Sequence, residues 1–239
     1  MKKHIPNAIT CTHLFCGCIG VFFAFNGQLE YAAYAVFIAA FFDFLDGMAA
    51  RLLKVHSEIG KQLDSLADMV SFGVLPSVII LHLFNWPDLS LDRLTWWYFS
   101  AFFITVFSAL RLAKFNIDTR QTNSFIGLPT PASAMVAASL PLILNQSNAS
   151  FTGIISNHWF LIVYIIINCW LLVAELPLLS LKFKNFSLKE NIYRFILLVF
   201  AVVCLLIFKF AAIPIIIIFY IILSIIQIRT TKNEVSSRN

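Results

Sequence analysis

The chain is 239 residues long, 60% hydrophobic and only 12% charged, with a net charge of +5 and a mean hydropathy of +0.85. Soluble domains carry roughly 25% charged residues, so this composition excludes an ordinary soluble domain and describes a polytopic membrane protein. The apolar segments follow one another too closely to leave room for a separate soluble domain, and 1–239 reads as a single integral-membrane unit.

A helix needs about 20 apolar residues to cross a bilayer, with a range of about 17–25. Stretches at roughly 8–25, 29–53, 61–84, 94–114, 131–147, 153–179, 190–208 and 211–228 meet that requirement, which predicts an all-α bundle of about eight transmembrane helices. Lys2 and Lys3 ahead of the first run resemble the start of a signal peptide. The run ends in Asn26-Gly27-Gln28 with no small-x-small cleavage site, so it reads as an uncleaved first span. Asn26-Gly27 is a turn pair, and Trp86-Pro87-Asp88 closes the third span. Trp96 and Trp97 mark a membrane interface, and Asn145 to Asn148 separates the fifth span from the sixth. The break from Lys209 to Pro214 is short, and the last two stretches also fit one long kinked helix. A polar tail covers 229–239. The five cysteines (Cys11, Cys16, Cys18, Cys169, Cys204) lie in apolar runs without CxxC spacing and read as small packing residues.

Charge orients the spans. With both ends on one side, that side holds Lys2, Lys3, Arg51, Lys54, Lys61, Arg111, Lys114, Arg120, Lys182, Lys184, Lys189, Arg194, Arg229, Lys232 and Arg238, leaving only Arg93 and Lys209 opposite. The positive-inside rule then predicts that both termini are cytoplasmic. The positive net charge reflects topology and anionic lipid rather than a nucleic-acid partner.

Four aspartates interrupt this apolar background: Asp43 and Asp46 at the end of the second span, Asp64 and Asp68 at the start of the third. At about 100° per residue, Asp43, Asp46, Gly47, Ala50 and Arg51 share one helix face, as do Gly60, Asp64, Asp68 and Ser71. Each carboxylate costs about 2.5–3.5 kcal/mol at a bilayer centre, so four together need compensation. Two divalent cations would cancel them, whereas Arg51, Lys54 and Lys61 are the only basic residues near enough to pair instead. Magnesium and manganese prefer such oxygen ligands, and a two-metal site suits transfer of a phosphoryl group. Arg51 adds a forked phosphate donor, and Gly47 and Gly60 allow close approach. The predicted topology puts all four acids in the cytoplasmic half of the membrane.

The pattern Asp43-x2-Asp46-Gly47-x2-Ala50-Arg51-x8-Gly60-x3-Asp64-x3-Asp68 resembles the signature of the CDP-alcohol phosphatidyltransferases. The resemblance implies a six-helix core, here with two further helices, and a homodimer in a bacterial cytoplasmic membrane with the site facing the cytosol. It implies two divalent cations, Mg2+ or Mn2+, on Asp43, Asp46, Asp64 and Asp68, with Asp68 also the general base. Gly47, Arg51 and Ser57 would meet the CDP moiety of CDP-diacylglycerol. Pro6-Asn7-x2-Thr10 resembles the family's polar entry to the first span, where Asn7 and Thr10 would meet the nucleotide.

A second stretch bears on the acceptor alcohol. Arg111, Lys114, Phe115 and Asn116, followed by Phe125-x-Gly127-Leu128-Pro129-Thr130-Pro131-Ala132, resemble the phosphatidylserine synthase branch, as does Ser71-Phe72-Gly73-x2-Pro76. Lys114 stands where that branch more often has arginine. The implied activity is transfer of the phosphatidyl group to L-serine, with Arg111, Lys114, Asn116, Arg120 and Thr130 as candidate serine contacts and Asn123 as a further orienting group. Each cation serves equally as a positive-inside anchor, and the Leu128–Pro131 run as a helix-entry turn. The resemblance covers roughly 5–135, leaving about 150–228 as further membrane helices. Glycerol 3-phosphate or an inositol phosphate remains an alternative acceptor, and a divalent-cation transporter is the rival of another class. Glu175 reads as a snorkelling acid or a partner of Lys182, and His56 as a loop histidine.

Overall fold

A computed structural model of the chain describes residues 4–55, 57–84, 96–118, 125–146, 153–179 and 191–236, without the side chains of 125, 229 and 231–236. The expectations placed on His56, Arg120, Asn123, Lys182 and the Trp86-Pro87-Asp88 break lie outside the described residues. Helices dominate: α1 His4–Phe25, α2 Leu29–Leu52, α3 Glu58–Leu83, α4 Trp96–Ile117, α5 Thr130–Gln146, α6 His158–Val173, α7 Ile192–Phe208 and α8 Ala212–Ser236. The stretches α1, α2, α3, α4 and Ile192–Ile228 are long and apolar enough to cross a membrane. Large apolar side chains such as Phe22, Phe44, Val199 and Leu206 are exposed on the outside, as expected where lipid is the solvent.

The centre of the bundle is α3. In it 72% of the apolar window is buried, against 17–33% in the other long helices. Every residue from Leu75 to Leu83 is buried. Small residues let its neighbours approach: α1 buries Thr10, Gly17, Gly20 and Ala24, and α2 buries Ala32, Ala33, Ala35 and Ala39. A methyl group added at Gly20 would lie 2.8 Å from the Ala35 side chain, closer than atoms pack.

Immediately after Asp68, α3 widens into a π-helix over Met69–Val74. Such segments loosen the backbone ladder, and at membrane depth each freed carbonyl needs a donor. The Gly73 carbonyl accepts from Ser77 Oγ at 2.8 Å and from Thr105 Oγ1 of α4 at 3.1 Å. The same two hydroxyls lie 2.7 Å apart, so one of them shares its proton between the carbonyl and its neighbour. This network ties α4 to the segment that carries Asp68.

The predicted 153–179 span is shorter in the structure. Asn157 caps α6 by accepting from the Trp159 amide at 2.9 Å, and Ala174 turns extended at its end. Pro177 cannot donate to a helix ladder, and Pro177–Leu178 instead pairs antiparallel with Phe125–Ile126. Glu175 therefore sits beyond the helix end, exposed. The break at Lys209 is a hairpin rather than a kink. Lys209 takes a positive φ of 51°, Phe200 stacks on Phe219 with ring centroids 4.0 Å apart, and the Tyr193 hydroxyl lies 3.2 Å from Thr230 Oγ1.

Candidate functional site

The facing surfaces of α1, α2 and α3 build the site in successive levels. At the mouth, Ser57 caps α3, its Oγ accepting from the Gly60 amide at 3.3 Å. A methyl group at Gly60 would fall 2.9 Å from Asn7 Oδ1, so α1 and α3 cross closely there because Gly60 lacks one. Beneath them opens a cavity of about 340 Å³ lined by Asn7, Thr10, Asp46, Gly47, Ser57, Gly60, Lys61 and Asp64, among others. Nothing lies within 4 Å of where a Gly47 side chain would begin, so that wall of the cavity is bare backbone.

Donor atoms of Asp43, Asp46 and Asp64 lie within 4.8 Å of one another. One turn deeper, Asp43 and Asp68 form a second such group with His13 of α1. Asp46 Oδ2, Asp64 Oδ1 and Asp68 Oδ1 are buried without a hydrogen-bond partner among the described residues. Converging carboxylates with orphaned oxygens, shielded from water, repel one another unless cations lie between them, and this oxygen-rich donor set fits a divalent metal. Below this level the chain closes: a side chain on Gly17 would collide with Ser71, whose Oγ reaches the His13 carbonyl at 3.4 Å.

The other expected contacts divide. Asn7, Thr10, Gly47 and Ser57 all line the cavity. Arg51 is exposed and lies back along its own helix, its Nε donating to the Gly47 carbonyl at 2.9 Å. On the acceptor side, Arg111 is buried, within electrostatic range of Asp68. Its Nε donates to the Leu128 carbonyl at 2.6 Å, and its guanidinium carbon sits 5.5 Å from the Phe115 ring centroid. Thr130 is buried, with Oγ1 unpartnered among the described residues. Asn116 joins two helices: its Nδ2 donates to Ser65 Oγ at 2.8 Å, and its backbone carbonyl accepts from Lys61 Nζ at 2.9 Å. Lys114 is exposed.

The loop that holds Arg111 is itself anchored. Gly127 has φ +77°, and an added methyl group would stand 2.8 Å from the Leu172 carbonyl at the end of α6. Its amide donates to the Leu176 carbonyl at 2.8 Å, and the Leu128 amide to that of Leu171 at 2.9 Å. Glycine is the residue that accepts this φ and this proximity together. Leu128 belongs to a small core with Leu178, Leu197, Tyr220 and Leu223, so the α7–α8 hairpin braces the same loop.

His13 and Ser108 are buried polar residues that the sequence analysis passed over. The signal for His13 was present: it follows Pro6 and Thr10 at helical spacing on the face that meets the aspartates. An ionisable residue inside a membrane span is a functional candidate by the rule that singled out the acids.

A family model described as CDP-alcohol phosphatidyltransferase matches residues 3–174. The chain belongs to the CDP-alcohol phosphatidyltransferase family. It is 33% identical over 197 residues to a CDP-diacylglycerol–serine O-phosphatidyltransferase of Helicobacter pylori, covering 80% of this chain and 77% of that one. A protein of the same description from Bacillus subtilis is 34% identical over 145 residues, 60% of this chain and 78% of its own length. An archaetidylserine synthase of Methanothermobacter thermautotrophicus is 30% identical over 144 residues, 58% of each chain. The phosphatidyltransferase match ends just after α6, so the α7–α8 hairpin lies beyond it.

Proposed function

We propose that the chain transfers the phosphatidyl group of CDP-diacylglycerol to the hydroxyl of L-serine, forming phosphatidylserine and releasing CMP. The observation that carries this reading is the convergence of Asp43, Asp46, Asp64 and Asp68 in two overlapping groups, with Asp46 and Asp64 lining the cavity and Arg111 within electrostatic range of Asp68. The descriptions of the H. pylori and B. subtilis relatives name the same donor and acceptor.

In this reading the four aspartates hold two divalent cations, Mg2+ or Mn2+, which when bound neutralise the diphosphate and the departing CMP. Asn7, Thr10, Gly47 and Ser57 receive the CDP end of the lipid, and Arg51 swings from the Gly47 carbonyl to a phosphate oxygen. Arg111 pairs with the serine carboxylate while Thr130 Oγ1 supplies a further polar contact. Asp68 takes the proton from the serine hydroxyl, whose oxygen bonds to the phosphorus that carries the diacylglycerol oxygen. The phosphoanhydride bond to that phosphorus breaks, and CMP leaves with its electron pair. Packing of Gly17 against Ser71 beneath the acids limits water, which would otherwise compete as acceptor.

The same reading gives α1 to α8 one membrane pass each, with both termini cytoplasmic and the cavity opening to the cytosol. The short α5 and α6 cross as 17- and 16-residue helices. The setting is a bacterial cytoplasmic membrane, and the chain pairs as a homodimer, the state the resemblance implies. Cysteine accessibility at the chain ends tests the topology: labelling of both termini from outside intact cells contradicts it. For the activity, purified protein given CDP-diacylglycerol and serine should release CMP in step with phosphatidylserine. CMP release with glycerol 3-phosphate but not with serine contradicts the assignment.

A further inference from the structure

His13 is the one ring among the described residues that is fully buried, has neither nitrogen hydrogen-bonded, and stands against the acid cluster. At membrane depth an unsatisfied imidazole is costly, and a native structure keeps one only for a reason. Among the described residues its surroundings offer no hydrogen-bond partner for either nitrogen. On one side the Phe72 ring lies 5.1 Å away, tilted by 35°, and the Ser71 hydroxyl donates to the His13 backbone carbonyl rather than to the ring. Toward the acids, a ring nitrogen and carboxylate oxygens of Asp43 and Asp68 come within 4.8 Å of one another without forming a hydrogen bond. Two donors on opposite sides of a small divalent cation stand roughly 4.2 Å apart, so a shared ion satisfies all three groups where direct contact does not.

We propose that His13 is a nitrogen donor to the divalent cation held by Asp43 and Asp68, making the deeper position a mixed imidazole–carboxylate site while Asp43, Asp46 and Asp64 form an all-oxygen one. This rests on the metal-dependent reading above and adds a ligand to it. The four-aspartate pattern alone describes two similar oxygen sites; His13 makes them different. Imidazole favours later transition ions, whereas Mg2+ favours oxygen, so the deeper position gains selectivity for ions such as Co2+ over Mg2+. Packing on Phe72 and the fixed α1 backbone hold the ring in place, which is what a ligand to a defined ion requires.

The test uses the full-length protein in detergent, loaded with Mn2+ and studied by pulsed electron paramagnetic resonance, with natural-abundance and 15N-labelled histidine. The expected result is a histidine nitrogen coupling in the wild type that shifts on 15N labelling and disappears in His13→Asn while Mn2+ remains bound. In parallel, the ratio of Co2+ to Mg2+ affinity should fall about ten-fold or more in His13→Asn. Bound Mn2+ with no histidine coupling in the wild type, which needs no variant to fold, overturns the proposal but leaves the aspartate reading standing. A histidine coupling that persists in His13→Asn also overturns it, by assigning the nitrogen to another histidine. Failure of the wild type to bind Mn2+ at all overturns the metal reading itself, a separately recognisable result.

Discussion

Arg111 Nε donates to the backbone carbonyl of Leu128 over 2.6 Å, which fixes a buried cation within electrostatic range of Asp68 through a loop seventeen residues further along the chain. That bond occupies one of the five donors of the guanidinium, and among the described residues no hydrogen bond engages the fork that could meet a carboxylate. Arg111→Lys keeps the charge but loses the fork. The expected outcome is a fall in kcat/KM for serine of roughly 10- to 100-fold, the worth of a charge-assisted hydrogen bond at about 1.5–3 kcal/mol. Affinity for CDP-diacylglycerol should stay unchanged. Lys114→Ala, at an exposed position, should alter neither by more than about two-fold. Steady-state kinetics with serine varied at fixed lipid would separate the two, and equal losses would remove Arg111 from the acceptor site.

The aspartates should not behave alike. Asp68→Asn removes the proposed base and should lower turnover by at least about 10²-fold, while lipid binding survives. Asp43→Asn, whose wild-type carboxylate belongs to both clusters, should weaken metal binding as well as turnover. Chelation of divalent cations should abolish activity, and Mg2+ or Mn2+ should restore it. Because metal ligands act as a unit, the informative comparison is metal affinity alongside rate. Wild-type turnover in either variant contradicts the assigned roles.

Two glycines make opposite predictions. At Gly47 nothing stands within 4 Å of an added methyl group, and the residue lines the cavity. Gly47→Ala should leave thermal stability unchanged or raised, since alanine favours a helix by about 1 kcal/mol, yet raise KM for the lipid. At Gly127, φ is +77° and the methyl group meets the Leu172 carbonyl at 2.8 Å. Gly127→Ala should destabilise the protein by about 1–3 kcal/mol and lower activity through the displaced Leu128–Arg111 contact. Thermal melts in detergent, paired with kinetics, check both. A destabilised Gly47→Ala with unaltered KM would remove Gly47 from the binding surface.

Much of the helical frame was legible because bilayer thickness and apolar run length constrain each other. The stretches expected at 29–53 and 61–84 appear as Leu29–Leu52 and Glu58–Leu83. The break at Lys209 was ambiguous because composition does not distinguish a kink from a hairpin; the stacking of Phe200 on Phe219 decides it. The π-helix at Met69–Val74 was invisible, since Ser71 and Gly73 interrupt an apolar run in a way equally compatible with an α-helix. In the site, helical spacing announced that the four aspartates could face one another. It carries no information on side-chain direction, so the bond from Arg51 Nε to the Gly47 carbonyl is legible only in the structure. The bond from Asn116 of α4 to Ser65 of α3 joins positions 51 residues apart in sequence, a contact that local pattern does not encode.

The central claim is most directly tested by CMP release from purified protein given CDP-diacylglycerol, a divalent cation and one acceptor at a time: L-serine, glycerol 3-phosphate or inositol. The account predicts CMP release and a matching amount of phosphatidylserine with serine, and little release with the other two. CMP release with either of the others, and none with serine, would contradict it.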